Sequence, residues 1–142
     1  MKIKPEIPNI IKEYVNSLEP TNIKTPTRVY FPEVLRQNIR FIADLPVTTY
    51  LAHKATKTKA FLKIAKEEGI RIDVASTQEL QNALQTGISP QKIEATGPKN
   101  EEFLKAAINN NVLISIDNLK ELTYIKETEQ PTNVLIRIAN PD

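Results

Sequence analysis

A chain of 142 residues, 40% hydrophobic and 25% charged, is long enough for one domain with a real core, and its composition is that of a folded protein, not a disordered one. Its 19 Lys and Arg against 17 Asp and Glu leave a net charge of only +2, which excludes the concentrated basic footprint of a nucleic-acid binder. With no cysteine and one histidine, His53, the chain has no disulfide, no thiolate chemistry and no multi-histidine metal site.

The first residues, Met1-Lys2-Ile3-Lys4-Pro5, carry no apolar signal-peptide core, and no stretch approaches the roughly 18 apolar residues of a membrane span. A soluble, cytoplasmic protein without a membrane partner is expected. Ile10, Ile11, Tyr14, Val15 and Leu18 recur at helical spacing and predict an amphipathic helix over residues 8–18, ended by Glu19-Pro20-Thr21-Asn22. After a Pro-bearing linker, Arg28-Val29-Tyr30 predicts a short strand over 27–31. Pro32 then opens a helix with Val34, Leu35, Ile39, Ile42 and Leu45 on one face, stopped by Pro46.

From there a unit repeats at a spacing of about 21 residues. Short apolar runs begin near Thr48, Ile70, Ile93, Val112 and Asn133, and the first four are each followed by a helix-length segment with an apolar stripe. Gly69, Gly87 and Asn109-Asn110-Asn111 fall where those helices end, positions that favour a left-handed residue. Strands alternating with single helices imply parallel pairing through right-handed crossovers, hence an α/β fold.

Two architectures share that pattern, the doubly wound sheet and the (β/α)8 barrel. The chain has three glycines and no G-x-G-x-x-G turn after its first strand, whereas Lys54, Asp73, Thr96, Asp117 and Arg137 all follow or end strands. In a barrel such positions converge on the C-terminal rim, where active sites lie. The expected fold is therefore a partial (β/α)8 TIM-type barrel with parallel strands over residues 27–142. A helix and linker over 1–26 precede it, and its first unit is a short strand and helix. Five strands do not close an eight-stranded barrel, so the sequence is expected to be a fragment.

Lys54 is the leading candidate for chemistry. Strand alternation places Tyr50, Ala52 and Lys54 on one face. A lysine among apolar walls has its charged form disfavoured, and its amine can then form a Schiff base with an aldehyde; the competing reading is a solvated lysine among Lys57, Lys59, Lys63 and Lys66. Asp73 holds the corresponding place one unit on, able to orient the amine or move a proton, or else to pair with Arg71 or a backbone amide. Ser76 and Glu79 have the spacing of a helix capping box, which accounts for them without excluding Glu79 from the rim. Arg137 is a charge inside an apolar strand and calls for an anionic ligand or a neighbouring Asp. Asp117 is read as a helix cap, as are Asn118 and Glu121, and His53 is read as packing beneath the helices.

The runs Leu51-Ala52-His53-Lys54-Ala55, Asp73-Val74-Ala75-Ser76-Thr77-Gln78-Glu79-Leu80, Gly97-Pro98-Lys99, Ile116-Asp117-Asn118-Leu119-Lys120-Glu121-Leu122 and Val134-Leu135-Ile136-Arg137-Ile138-Ala139-Asn140 together resemble the fold-type III pyridoxal-phosphate decarboxylases, which act on ornithine, arginine or diaminopimelate. The resemblance runs from about Thr27 to Asp142. It implies pyridoxal 5′-phosphate as cofactor, bound as a Schiff base by Lys54, with Asp73 orienting that lysine, Glu79 supporting the site and Arg137 close to the cofactor. It further implies an amino-acid substrate and a homodimer in the full-length protein. The family usually has an aromatic at Leu51 and often an Asn at Thr56. Its ring-stacking His, glycine-rich phosphate loop and acidic partner of the pyridine nitrogen belong to the later half of the barrel, and its substrate-side residues to a C-terminal β domain and a dimer partner. The chain alone is therefore not expected to complete a catalytic cycle. An amino-acid racemase sharing the barrel, a non-catalytic decarboxylase-like binding module and an unrelated doubly wound domain are the other readings.

Overall fold

Five short, largely apolar runs pair as parallel strands in the order in which they occur along the chain: β1 (Tyr50–Ala52), β2 (Arg71–Val74), β3 (Ile93–Ala95), β4 (Leu113–Ile116) and β5 (Val134–Ile136). The computed structural model describes residues 8–19 and 29–138. A doubly wound sheet reverses its strand order partway along. The uninterrupted order β1-β2-β3-β4-β5 is instead that of a barrel arc, with β1 and β5 as its edges among the described residues.

Register decides what each face of the sheet carries. Leu51, Ile72 and Ile93 lie abreast, as do Ala95 with Ile114 and Ile116 with Ile136, and all but the exposed Ile136 of the edge strand face the helices. The alternate set, Ala52, Asp73 and Glu94, then Ser115 with Leu135, faces the other way. Onto the first face pack α3 (Lys59–Glu67), α4 (Thr77–Gln85), α5 (Glu101–Asn109) and α6 (Leu119–Glu127). Leu62, Ala65, Leu80, Ala83, Leu104 and Ala107 from these helices are closed to solvent together with Ile72, Val74, Ile93, Ala95 and Ile114 from the strands. The second face has no helix over it and is half-buried or exposed.

Helix boundaries repeat along with the units. Thr58, Ser76, Asn100 and Asn118 each accept the backbone N–H three residues on, capping α3 to α6 at their N-termini. At the other end, Gly69, Gly87 and Asn111 have φ of 72°, 81° and 51°, the left-handed conformation that lets the chain turn back to the sheet. The next residue in each case, Ile70, Ile88 or Val112, donates its N–H to a carbonyl five residues back, on Ala65, Ala83 or Ala107, and buries its side chain.

Ahead of the repeats, α1 (Asn9–Ser17) and α2 (Pro32–Ala43) form as expected. The short strand expected over 27–31 does not: residues 27 and 28 lie outside the described set, and Val29 to Phe31 form no strand. Phe31 instead packs edge-on against Tyr14 of α1, ring centroids 5.5 Å apart, so its partner is a helix and not a sheet. The linker residues 20–28, the opening residues 1–7 and Ala139 to Asp142 are likewise outside the described residues. Among those described, no helix is long and apolar enough to cross a membrane.

Leu62 has no exposed surface, whereas Leu119 is 79% exposed. Leu62→Ala is expected to lower the unfolding free energy by about 2–5 kcal/mol in a urea titration. Leu119→Ala should stay within about 0.5 kcal/mol.

Candidate functional site

The open face of the sheet is polar, and its polar side chains join neighbouring strands in pairs. Arg71 of β2 donates to the Tyr50 hydroxyl of β1 at 3.3 Å and lies 5.6 Å from that ring's centroid. Ser115 of β4 donates to Glu94 of β3 at 2.8 Å. Nearer the strand C-termini, Thr96 after β3 donates through its hydroxyl to Asp73 of β2, and Arg137 after β5 meets Asp117 after β4 at 3.3 Å. Each adjacent pair of strands thus carries one polar bridge. A satisfied pair is what lets a charged group sit on a partly buried sheet face.

Above this layer, at the C-terminal ends of the strands, lies a cavity of about 350 Å³ lined by Lys54, Asp73, Ala75, Thr96, Gly97, Ser115 and Arg137. Three of the four predicted site residues therefore meet there. Lys54 arrives differently from the way alternation suggested: β1 ends at Ala52, and Lys54 stands on a 3-10 turn over His53–Ala55. His53 pins the turn from below, its ring buried and stacked on Phe61 at 6.4 Å, with Nδ1 3.2 Å from the Thr56 carbonyl. The packing role read for His53 is what the structure gives it. The walls around Lys54 are also not the apolar ones expected. The residue is exposed, and Asp73, Thr96, Ser115 and Arg137 make its surroundings polar.

Asp73 is held by Thr96, while Arg71 turns away to Tyr50 and the Gln91 carbonyl, so the pairing of Asp73 with Arg71 does not form. Glu79 lies behind the rim. Its backbone N–H goes to Ser76 Oγ at 3.2 Å and its carboxylate accepts the Ala75 N–H at 2.9 Å, with Lys57 Nζ 3.9 Å away. It reaches the cavity only through Ala75, which lines it.

Two units later, Glu121 repeats that arrangement: its N–H goes to Asn118 Oδ1 at 3.0 Å and its carboxylate accepts the Asp117 N–H at 3.0 Å. Asn118 is therefore the cap, and the capping role expected of Asp117 is corrected; the Asp117 carboxylate is turned towards Arg137 and Lys99. Lys99 had no assigned role. Its side chain has no exposed surface, and its ammonium reaches Glu121 at 3.2 Å, Asp117 at 3.5 Å and the carbonyls of Gly97 and Ser115. Burial pushes the Glu121 carboxyl up, but the N–H groups of Asp117 and Lys99 and the Lys99 ammonium outweigh it, leaving its pKa below the ordinary glutamate value.

Comparison with known proteins adds a family to this geometry. A family model described as the pyridoxal-binding domain of pyridoxal-dependent decarboxylases matches residues 32–142. Ornithine decarboxylase of Saccharomyces cerevisiae is 33% identical over 113 residues, covering 78% of this chain and 24% of that protein. Antizyme inhibitor 2 of Xenopus laevis is 28% identical over 138 residues, covering 94% of this chain and 30% of the other. The crystal structure of lysine decarboxylase from Selenomonas ruminantium superposes with a TM-score of 0.75 at 26% identity, over 98% of this chain and 38% of that one. The chain thus spans well under half the length of these relatives.

Glu121→Gln leaves Lys99 short of one partner while Asp117 and two carbonyls remain, and unfolding in urea at pH 7 is expected to show a loss of about 1–3 kcal/mol. A carboxyl with a depressed folded pKa contributes stability above its unfolded value and loses it as pH falls through the folded one. Below about pH 4.3 the native chain should therefore lose stability more steeply with acid than the variant does.

Proposed function

The chain belongs to the pyridoxal-dependent decarboxylases through their pyridoxal-binding domain, and on that premise we propose that it is the N-terminal, cofactor-holding part of an amino-acid decarboxylase of the ornithine, lysine, arginine or diaminopimelate class. The observation that carries this reading is the shared cavity at the strand C-termini, where Lys54 opens beside Asp73, Thr96 and Arg137. The donor set suits pyridoxal 5′-phosphate: an accessible primary amine, a carboxylate held by a hydroxyl, and a guanidinium. When bound, that cofactor supplies an aldehyde that takes up amines with loss of water and a ring that accepts the electron pair left when carbon dioxide departs.

The chain's own residues do the positioning. Lys54 supplies the amine that ties the cofactor to the barrel, and the 3-10 turn pinned by His53 sets where that amine stands. Asp73, its direction set by Thr96, orients the amine and takes or returns its proton. Arg137 brings a cation to the anionic groups of the cofactor, and Glu79 holds the Ala75 backbone that forms part of the wall. Residues 27–142 act as the barrel portion, residues 1–26 as a leading helix and linker, and the complete protein works as a cytoplasmic homodimer on a small amino-acid substrate.

The likeness to antizyme inhibitor 2, a relative that bears the name of an inhibitor and not of an enzyme, supports a second reading in which the same arc serves as a protein-binding module. Lys54 separates the two. Incubation with pyridoxal 5′-phosphate and borohydride is expected to leave one stable label, mapped by peptide mass spectrometry to Lys54 and lost in Lys54→Ala. Equal labelling of the variant, or a label spread over surface lysines, removes Lys54 from its role and favours the module.

A further inference from the structure

We propose that Lys99, although closed to solvent and outside the cavity wall, is a positioning residue that sets the direction of the Arg137 guanidinium through Asp117. The inference rests on the cofactor reading only for what Arg137 then contacts. The relay itself is read from the geometry.

An ammonium has three N–H donors, and those of Lys99 are spent on four nearby oxygens: the carbonyls of Gly97 and Ser115, Glu121 Oε2 at 3.2 Å and Asp117 Oδ2 at 3.5 Å. Three of these lead nowhere. The two carbonyls belong to the backbone, and the Glu121 carboxylate is already immobilised by the N–H groups of Lys99 and Asp117 and by the Asn118 amide at 3.1 Å. Only Asp117 continues towards the cavity. Its other oxygen, Oδ1, lies 3.3 Å from Arg137 Nη1, so one carboxylate is gripped by a buried cation on one side and presents an acceptor to an accessible cation on the other.

Arg137 needs such a hold. It follows the edge strand β5, its side chain is 71% exposed, and Asp117 is the one hydrogen-bond partner of its guanidinium among the described residues. A long side chain in that setting otherwise spreads over many rotamers. The charges also require Lys99. Glu121 and Asp117 both approach its ammonium, and without it two carboxylates would share a partly buried pocket, where one takes up a proton and stops acting as an anion. A buried ion pair is not a good way to gain stability, since well-packed apolar side chains do as well or better. That comparison favours a role for Lys99 that packing cannot fill.

The test compares the full chain with Lys99→Met, Lys99→Arg, Asp117→Asn and Arg137→Ala. Side-chain Nε–Hε relaxation of Arg137 by ¹⁵N NMR, without cofactor, is expected to report an ordered guanidinium in the native chain and in Lys99→Arg, and a mobile one in Lys99→Met. Should Lys99→Met fail to fold, Asp117→Asn cuts the relay while leaving the Lys99–Glu121 pair in place, and it should free Arg137 equally. An Arg137 as ordered in Asp117→Asn or Lys99→Met as in the native chain overturns the proposal. For pyridoxal 5′-phosphate, Lys99→Met is expected to weaken binding about tenfold on its own and to add no further loss to that of Arg137→Ala in the double variant. Full additivity of the two losses also overturns it. A native chain that does not bind the cofactor, with Arg137 mobilised by Lys99→Met, would defeat the functional reading and leave the relay standing.

Discussion

Parallel pairing in chain order is the constraint from which the rest follows. Each strand must be returned to the same end by a helix, so every unit ends its strand at one rim and turns there into the next helix. The residues after the strands are thereby collected without any specific attraction between them. Lys54 and Arg137, at opposite edges of the sheet, line one cavity for this reason alone. The Schellman-type turns at Gly69, Gly87 and Asn111 act at the other end, where they fix how far each helix runs before the chain re-enters the sheet, and so keep the register that brings the rim residues level.

The two faces of the sheet divide the labour. The helix-covered face is closed, apolar and nearly free of polar atoms, and it carries the free energy of folding. The open face is built from cross-strand polar pairs, Tyr50 with Arg71, Asp73 with Thr96, Glu94 with Ser115 and Asp117 with Arg137. Pairs between half-exposed groups contribute little net stability. What they do is hold direction: each paired side chain on that face is fixed by a neighbour one strand away, while Lys54 and Arg137, at the ends of the row, are exposed.

Much of this was legible in the residues because it depends on periods. Apolar runs and helical stripes pointed to the five strands and six α-helices found among the described residues, and the turn-forming Gly69, Gly87 and Asn111 marked the helix ends. The sequence reading failed where a contact between distant segments decided the outcome. Val29 to Phe31 are composed like a strand, but among the described residues they pair with none, and Phe31 packs on Tyr14 instead. Alternation carried Lys54 to the right side of the sheet for the wrong reason, since the strand stops two residues earlier and a 3-10 turn takes over. Lys99 was hidden among exposed lysines. No pattern distinguishes a lysine that is fully buried, and the only signal was its place at a helix entry beside Gly97-Pro98, one unit before the Asn118–Glu121 capping pair that receives it.

That capping pair explains why two glutamates at equivalent places have come to differ. Glu79 and Glu121 both accept the N–H of the residue before their helix cap, a local bond that any such capping box provides. At Glu79 the next cation is Lys57, 3.9 Å away and largely exposed, so solvent screens it. At Glu121 burial pushes the carboxyl up, but the N–H groups of Asp117 and Lys99, joined by the Lys99 ammonium that is sealed from solvent, outweigh it and hold the pKa below the ordinary glutamate value. The same local motif is thus a plain cap in one unit and the base of a charge relay two units on. The difference lies in one residue contributed by the intervening loop. Variation of this kind leaves the apolar face untouched, so different sites can be carried on one fold.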